Sequence, residues 1–239
     1  MTVRIAMWSG PRNISTAMMR AWEARADCAV MDEPFYGAYL AATELDHPMR
    51  DEILEAHAVD FDAIARDCAE RADAPVIYQK HMCQHMILEA PLHWMVSCRH
   101  AFLIRPPSEV AASFARKYRN QTAEDLGFRR QAELYEAASE IAGPPPVVEA
   151  RDVLENPEGM LKALCRALDV PFDAAMLSWE AGPRASDGIW ASHWYQAVNA
   201  STGFGRPGPP AECPEELCGI VAECQPYYEQ MRAHRLVAE

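Results

Sequence analysis

The chain has 239 residues, 50% of them hydrophobic and 24% charged, with a formal net charge of −13. That length suits one large α/β domain or two small ones, and no apolar run approaches the roughly 20 residues of a membrane-spanning helix. So acidic a chain is not expected to bind nucleic acid or an anionic membrane. A polyanionic ligand would need locally concentrated bases, and Arg12, Arg105 and the Arg116-Lys117-Arg119 run stand out.

Residues 3–8 read as a buried strand, followed by the turn Ser9-Gly10-Pro11-Arg12-Asn13. The opening apolar stretch is too short for a secretory signal, so a cytoplasmic location with reduced cysteines is expected. Cys213, Cys218 and Cys224 have no common zinc spacing, and no metal is expected. Ile14, Ala17, Met18, Ala21 and Trp22 fall on one face of an amphipathic helix. A second strand over 28–31 ends in Asp32-Glu33-Pro34, residues 35–73 mix helix and loop with a helical pattern over 61–71, and a third strand over 76–79 ends in Lys80-His81.

A fourth strand over 100–104 runs into Arg105-Pro106-Pro107-Ser108, and the next helix packs Val110, Ala111, Phe114 and Tyr118 on one side. A helix over 122–142, a short strand at 147–148 and a helix over 157–168 follow. Strands alternating with helices predict an α/β fold, a central parallel sheet of about five strands covered on both faces. Residues 182–214 lack helical periodicity, and so long a connection often covers a site. The stretch 184–213 is therefore expected to be a lid or acceptor loop of a single domain, with a closing helix over 214–235.

A strand, a tight turn and a helix with Ser15 and Thr16 in its first turn can bind an anion through free N–H groups and the helix dipole. Arg12 adds a two-pronged donor. The plainer alternative is that Ser15 or Thr16 caps the helix. Three nucleotide readings compete. A Walker A loop lacks its second Gly and its Lys here. A dinucleotide fingerprint has only Gly10, although Asp32 stands at the distance of a ribose-binding acid. In the third reading, Pro11-Arg12-Asn13-Ile14-Ser15-Thr16 resembles the P-R-S-G-[ST]-[ST] phosphosulfate loop of sulfotransferases, with Asn13 and Ile14 in place of Ser-Gly.

Two further segments support that resemblance. Residues 103–113 are similar to the sulfotransferase 3′-phosphate motif, with Arg105 at a strand end and Ser113 eight residues later. Residues 149–157, continuing to Leu168-Asp169-Val170-Pro171-Phe172, resemble the family's stretch after the last core strand, with Asp152 anchoring a loop.

The resemblance implies a P-loop-type domain that moves a sulfuryl group from 3′-phosphoadenosine 5′-phosphosulfate to a small hydroxyl- or amine-bearing acceptor, without a metal. Gly10, Pro11, Arg12, Asn13, Ile14, Ser15, Thr16, Arg105, Ser113 and Arg206 would hold the nucleotide. The family's general base is a Glu after the second strand or a His following a Lys after the third. These positions correspond to Glu33, the preferred choice, and His81, with Lys80 near the transferred group. Trp190, Trp194, Tyr195, Phe204 and Arg206 are candidates for stacking on adenine or lining the acceptor pocket, while His85 and His93 receive no role. The rivals are a catalytically inactive nucleotide-binding protein of the same fold and an NAD(P)-type enzyme that uses Asp32.

Overall fold

The apolar runs become five strands of one sheet: β1 (Val3–Ser9), β2 (Cys28–Asp32), β3 (Val76–Met82), β4 (Arg99–Ile104) and β5 (Val147–Glu149). Their order is β2-β3-β1-β4-β5, and every pairing is parallel. A parallel sheet is buried on both sides. Accordingly Ile5, Ala6, Met7 and Trp8 of the central strand are fully buried, with alternate side chains entering two separate cores. This computed structural model describes residues 2–43, 45–116, 121–209 and 214–238. Lys117, Tyr118, Arg119 and Cys213 lie outside them, as does the 210–213 end of the expected lid.

The helices are α1 (Ser15–Glu23), α2 (Tyr36–Thr43), α3 (Arg50–Ala56), α4 (Phe61–Glu70), α5 (Pro107–Ala115), α6 (Ala123–Leu126), α7 (Phe128–Ala142), α8 (Ala150–Glu155), α9 (Pro157–Ala167), α10 (Ala191–Trp194), α11 (Gln196–Asn199) and α12 (Cys218–Arg232). Apolar faces of α4, α5, α7 and α12 pack over Trp8 and Phe102. Those of α1, α3, α8 and α9 pack over Ile5 and Met7 on the opposite side. The result is the three-layer α/β/α arrangement expected from the alternation of strands and helices. No described helix is long and apolar enough to cross a membrane.

Four details differ from expectation. Strand β3 continues to Met82, so Lys80 and His81 lie within it rather than at its end. The helix expected over 122–142 is broken by Gly127, whose left-handed backbone (φ 71) ends α6 before α7 begins. The stretch 182–214 contains α10 and α11, each only four residues long. The closing helix starts at Cys218, after a 3-10 turn over Glu215–Leu217. At the end of β5, the buried Glu149 accepts hydrogen bonds from Tyr228 (2.8 Å) and Arg232 (3.3 Å), tying the sheet edge to α12. Asp152 lies in α8, 3.6 Å from Arg235.

Candidate active site

The loop from β1 to α1 is tight without the glycine that the resembling loops carry. Arg12 (φ 61) and Ile14 (φ 55) both take the left-handed conformation, at a cost of order 1–3 kcal/mol each. Surrounding contacts hold them there. Asn13 is buried and donates to the Leu103 carbonyl at 3.2 Å, while Ile14 packs against the core. Gly10 is needed for a different reason: a Cβ there would lie 2.8 Å from the Leu126 carbonyl oxygen. The cap position of α1 falls on Ile14, which forms no side-chain cap, and no acidic residue occupies its first turn. Its leading N–H groups and dipole are thus left to attract an anion.

The second basic element meets this loop directly. Arg105 donates through Nη1 to the Arg12 carbonyl (2.8 Å) and through Nε to Glu109 (2.9 Å). Arg12 donates through Nε to Ser113 Oγ at 3.1 Å. Glu109 is held in turn by Arg151 at 3.0 Å. Burial, then the neighbouring Arg105 and Arg116 charges, lower the pKa of the Arg12 guanidinium below its ordinary value. A bound anion would relieve that repulsion.

The ends of β2 and β3 carry a buried ionic cluster. Lys80 Nζ donates to Asp32 (2.9 Å), to the Tyr195 hydroxyl (2.5 Å) and to Glu33. Tyr195 in turn donates to Asp32 (2.8 Å) and accepts from Trp190 Nε1 (3.2 Å), and the Gly188 amide donates to Asp32 at 3.1 Å. Glu33 is also left-handed (φ 45). Burial would by itself lower the Lys80 pKa, but the Asp32 and Glu33 carboxylates outweigh it and hold the value above its ordinary range. Burial raises the Glu33 carboxyl, with Lys80 opposing in part and Asp32 adding to the rise.

A cavity of about 510 Å³ joins the two elements. Residues 11–16, Arg105, Ser113, Glu33, Lys80 and Arg206 all line it, and so do Trp194, Tyr195 and Phe204. Gly10 and Trp190 are not among its lining residues, although Trp190 is bonded to Tyr195, which is. Asp32 is 1% exposed and already paired with Lys80, so it is not free to grip a ribose, which removes the feature that favoured a dinucleotide.

His81 is not part of the cavity wall. Adjacent residues of a strand face opposite ways, so His81 points into the other core, stacked on Trp8 at 4.5 Å and bonded to Gln79 at 3.0 Å. Burial drives its pKa down to about 3. Two histidines do reach the cavity, His47 and His85, the latter in the 3-10 turn Cys83–His85, and His85 is the one beside Glu33. Its Nδ1 lies 3.9 Å from Glu33, and its ring stacks on Tyr36 at 4.4 Å. Its position in the first turn beyond β3 is the signal that could have pointed to it.

Residues 3–235 match the sulfotransferase domain family. The chain belongs to that family. Two curated relatives of this sulfotransferase-domain protein come from Arabidopsis thaliana: branched-chain-amino-acid aminotransferase-like proteins 2 and 1. Each is 34% identical over 232 residues, covering 96% of this chain but only 41% and 42% of their own lengths. The chain thus spans about two fifths of the relatives it matches. Among solved structures it is similar to a sulfotransferase from Alicyclobacillus acidocaldarius (12% identity, 99% of this chain and 98% of the other, TM-score 0.55). It is also similar to the sulfotransferase domain from the curacin biosynthetic pathway (13%, 94% and 98%, TM-score 0.53). At these identities the structures establish the fold, and family membership supports a sulfotransferase activity in general terms.

Proposed function

We propose that this protein transfers a sulfuryl group from 3′-phosphoadenosine 5′-phosphosulfate to the hydroxyl or amine of a small-molecule acceptor, using Glu33 as general base. The carrying observation is one cavity lined by two neighbouring arginines, Arg12 and Arg105, and by a buried carboxyl–lysine pair, Glu33–Lys80. These residues suit a donor with separate 3′ and 5′ charges. Arg12 and the amide groups leading α1 would hold the 5′ end, Arg105 and Ser113 the 3′-phosphate, and Phe204 and Arg206 the adenine side. The donor supplies the sulfuryl group, and its bisphosphate product leaves.

Glu33 would accept the acceptor proton, a role suited to a carboxyl whose pKa burial raises above its ordinary value. Lys80 would carry positive charge at the same point, where fixed charge stabilises the transition state without reorganisation. Tyr195 and Asp32 would fix the lysine's position. In this reading the segment 184–213 is a lid over the site of a single domain, and the setting is cytoplasmic. The free thiols of the described cysteines are in keeping with that setting.

Calorimetry with adenosine 3′,5′-bisphosphate and with ADP tests the donor assignment. The bisphosphate should bind more tightly than ADP, and Arg105→Ala should remove that preference. Equal affinity for both nucleotides would overturn it. Transfer of labelled sulfate to an acceptor pool separates an enzyme from a silent binding protein.

A further inference from the structure

A second cavity, of about 410 Å³, lies beside the first, and the two share Tyr39, Leu45, Gln84 and Asp125 in their walls. It is bounded by the segment after β3, the start of α7 and the side of α12. Its apolar lining comes from Met86, Ile87, Leu88, Ala123 and Tyr227. Its size falls within the usual range of small-molecule sites, and nothing in the donor assignment uses it.

The charges around it are selective. Its two arginines are already committed, Arg129 to Glu223 (3.3 Å) and Arg130 to Glu133 (2.8 Å). Glu124 and Asp125 add further negative charge, so four carboxylates face two guanidiniums. At the junction Gln84 lines both cavities, and its Oε1 is buried without a hydrogen-bond partner among the described residues, a site where a polar group is unsatisfied. Gly127 packs close to the same side chain: a Cβ there would lie 3.3 Å from that oxygen.

We propose that the second cavity receives the apolar stem of an extended acceptor without negative charge, an alcohol or amine whose reactive group passes Gln84 toward Glu33. The inference rests on the sulfuryl-transfer reading for its direction. The stem site itself is a separate property of the surface.

The test is calorimetric titration of the full chain, saturated with adenosine 3′,5′-bisphosphate, with n-butylamine, n-octylamine and octanoate. Each buried methylene is worth about fourfold in affinity, so octylamine should bind at least about tenfold more tightly than butylamine, with octanoate weaker than either. Ala123→Phe, which fills the cavity, should abolish the octyl advantage and leave bisphosphate binding unchanged. Leu88→Asp, at an exposed position on the rim, should reduce the same advantage even if the filled variant misfolds. The inference is overturned if octylamine and butylamine bind alike, if octanoate binds as well as octylamine, or if both variants keep the chain-length effect. Failure of the bisphosphate to bind would instead strike the donor reading, and the same titration without nucleotide would still decide the stem site.

Discussion

Replacing Lys80 with methionine preserves much of the side-chain volume and removes one charge. Lys80 and Asp32 are each 1% exposed and Glu33 11%, so the substitution leaves two carboxyls in the interior without their cation. Breaking a buried pair in this way costs about 3–5 kcal/mol, against a total stability of about 5–15 kcal/mol for a typical domain. For a chain of this size the melting temperature should fall by roughly 6–20 °C. The penalty should also depend on pH in a definite direction. Burial already raises the Glu33 pKa, and without Lys80 it rises further. A carboxyl with a raised folded-state value contributes most below its unfolded value and loses that contribution as pH climbs through the folded one. The variant should therefore lose less stability, relative to the parent, at pH 5 than at pH 7.5. Urea unfolding followed by tryptophan fluorescence at both pH values measures this directly. A loss below about 1 kcal/mol at pH 7.5, within the range of exposed pairs, would refute the reasoning. So would a penalty equal at both pH values.

Three other outcomes follow from the same geometry. Glu33→Gln should lower kcat by about 10²–10⁴, the usual contribution of a general base, while calorimetry finds adenosine 3′,5′-bisphosphate affinity unchanged. His81→Gln should leave kcat intact but change acid unfolding. His81 titrates at about 3 when folded against an ordinary 6.5, so its stabilising effect is present above 6.5 and lost as pH falls toward 3. Stability measured across that window should fall less steeply in the variant, by up to about 1.4 kcal/mol per pH unit. Gly10→Ala should cost about 1–3 kcal/mol through overpacking against the Leu126 carbonyl, read as a drop in melting temperature.

The sheet was legible because its strands are short apolar runs between turn signals, and the meeting of Arg12, Arg105 and Ser113 was legible as a pair of motifs. The end of β3 was not. Lys80 and His81 look like a polar strand end, yet Lys80 is satisfied by Asp32 and Tyr195, and His81 stacks on the ring of Trp8, all distant in sequence. Hydrophobic periodicity registers local pattern and carries no trace of such pairings. Single-turn helices such as α10 and α11 are too short to show a 3.6-residue repeat. Asp32 stood at a distance that suited a ribose, and only its burial against Lys80 revealed its structural task.

The hydroxyl of Tyr195 lies late in the chain yet is bonded to Lys80 and Asp32 at the ends of two strands. Lifting the 188–195 segment away would strip that pair of two donors and an acceptor at once, the Gly188 amide among them. The segment and the ends of the two strands are therefore coupled through these bonds. In hydrogen-exchange terms, the segment is expected to share a cooperative unit with β2 and β3, its protection set by the ionic cluster more than by its own short helix α10.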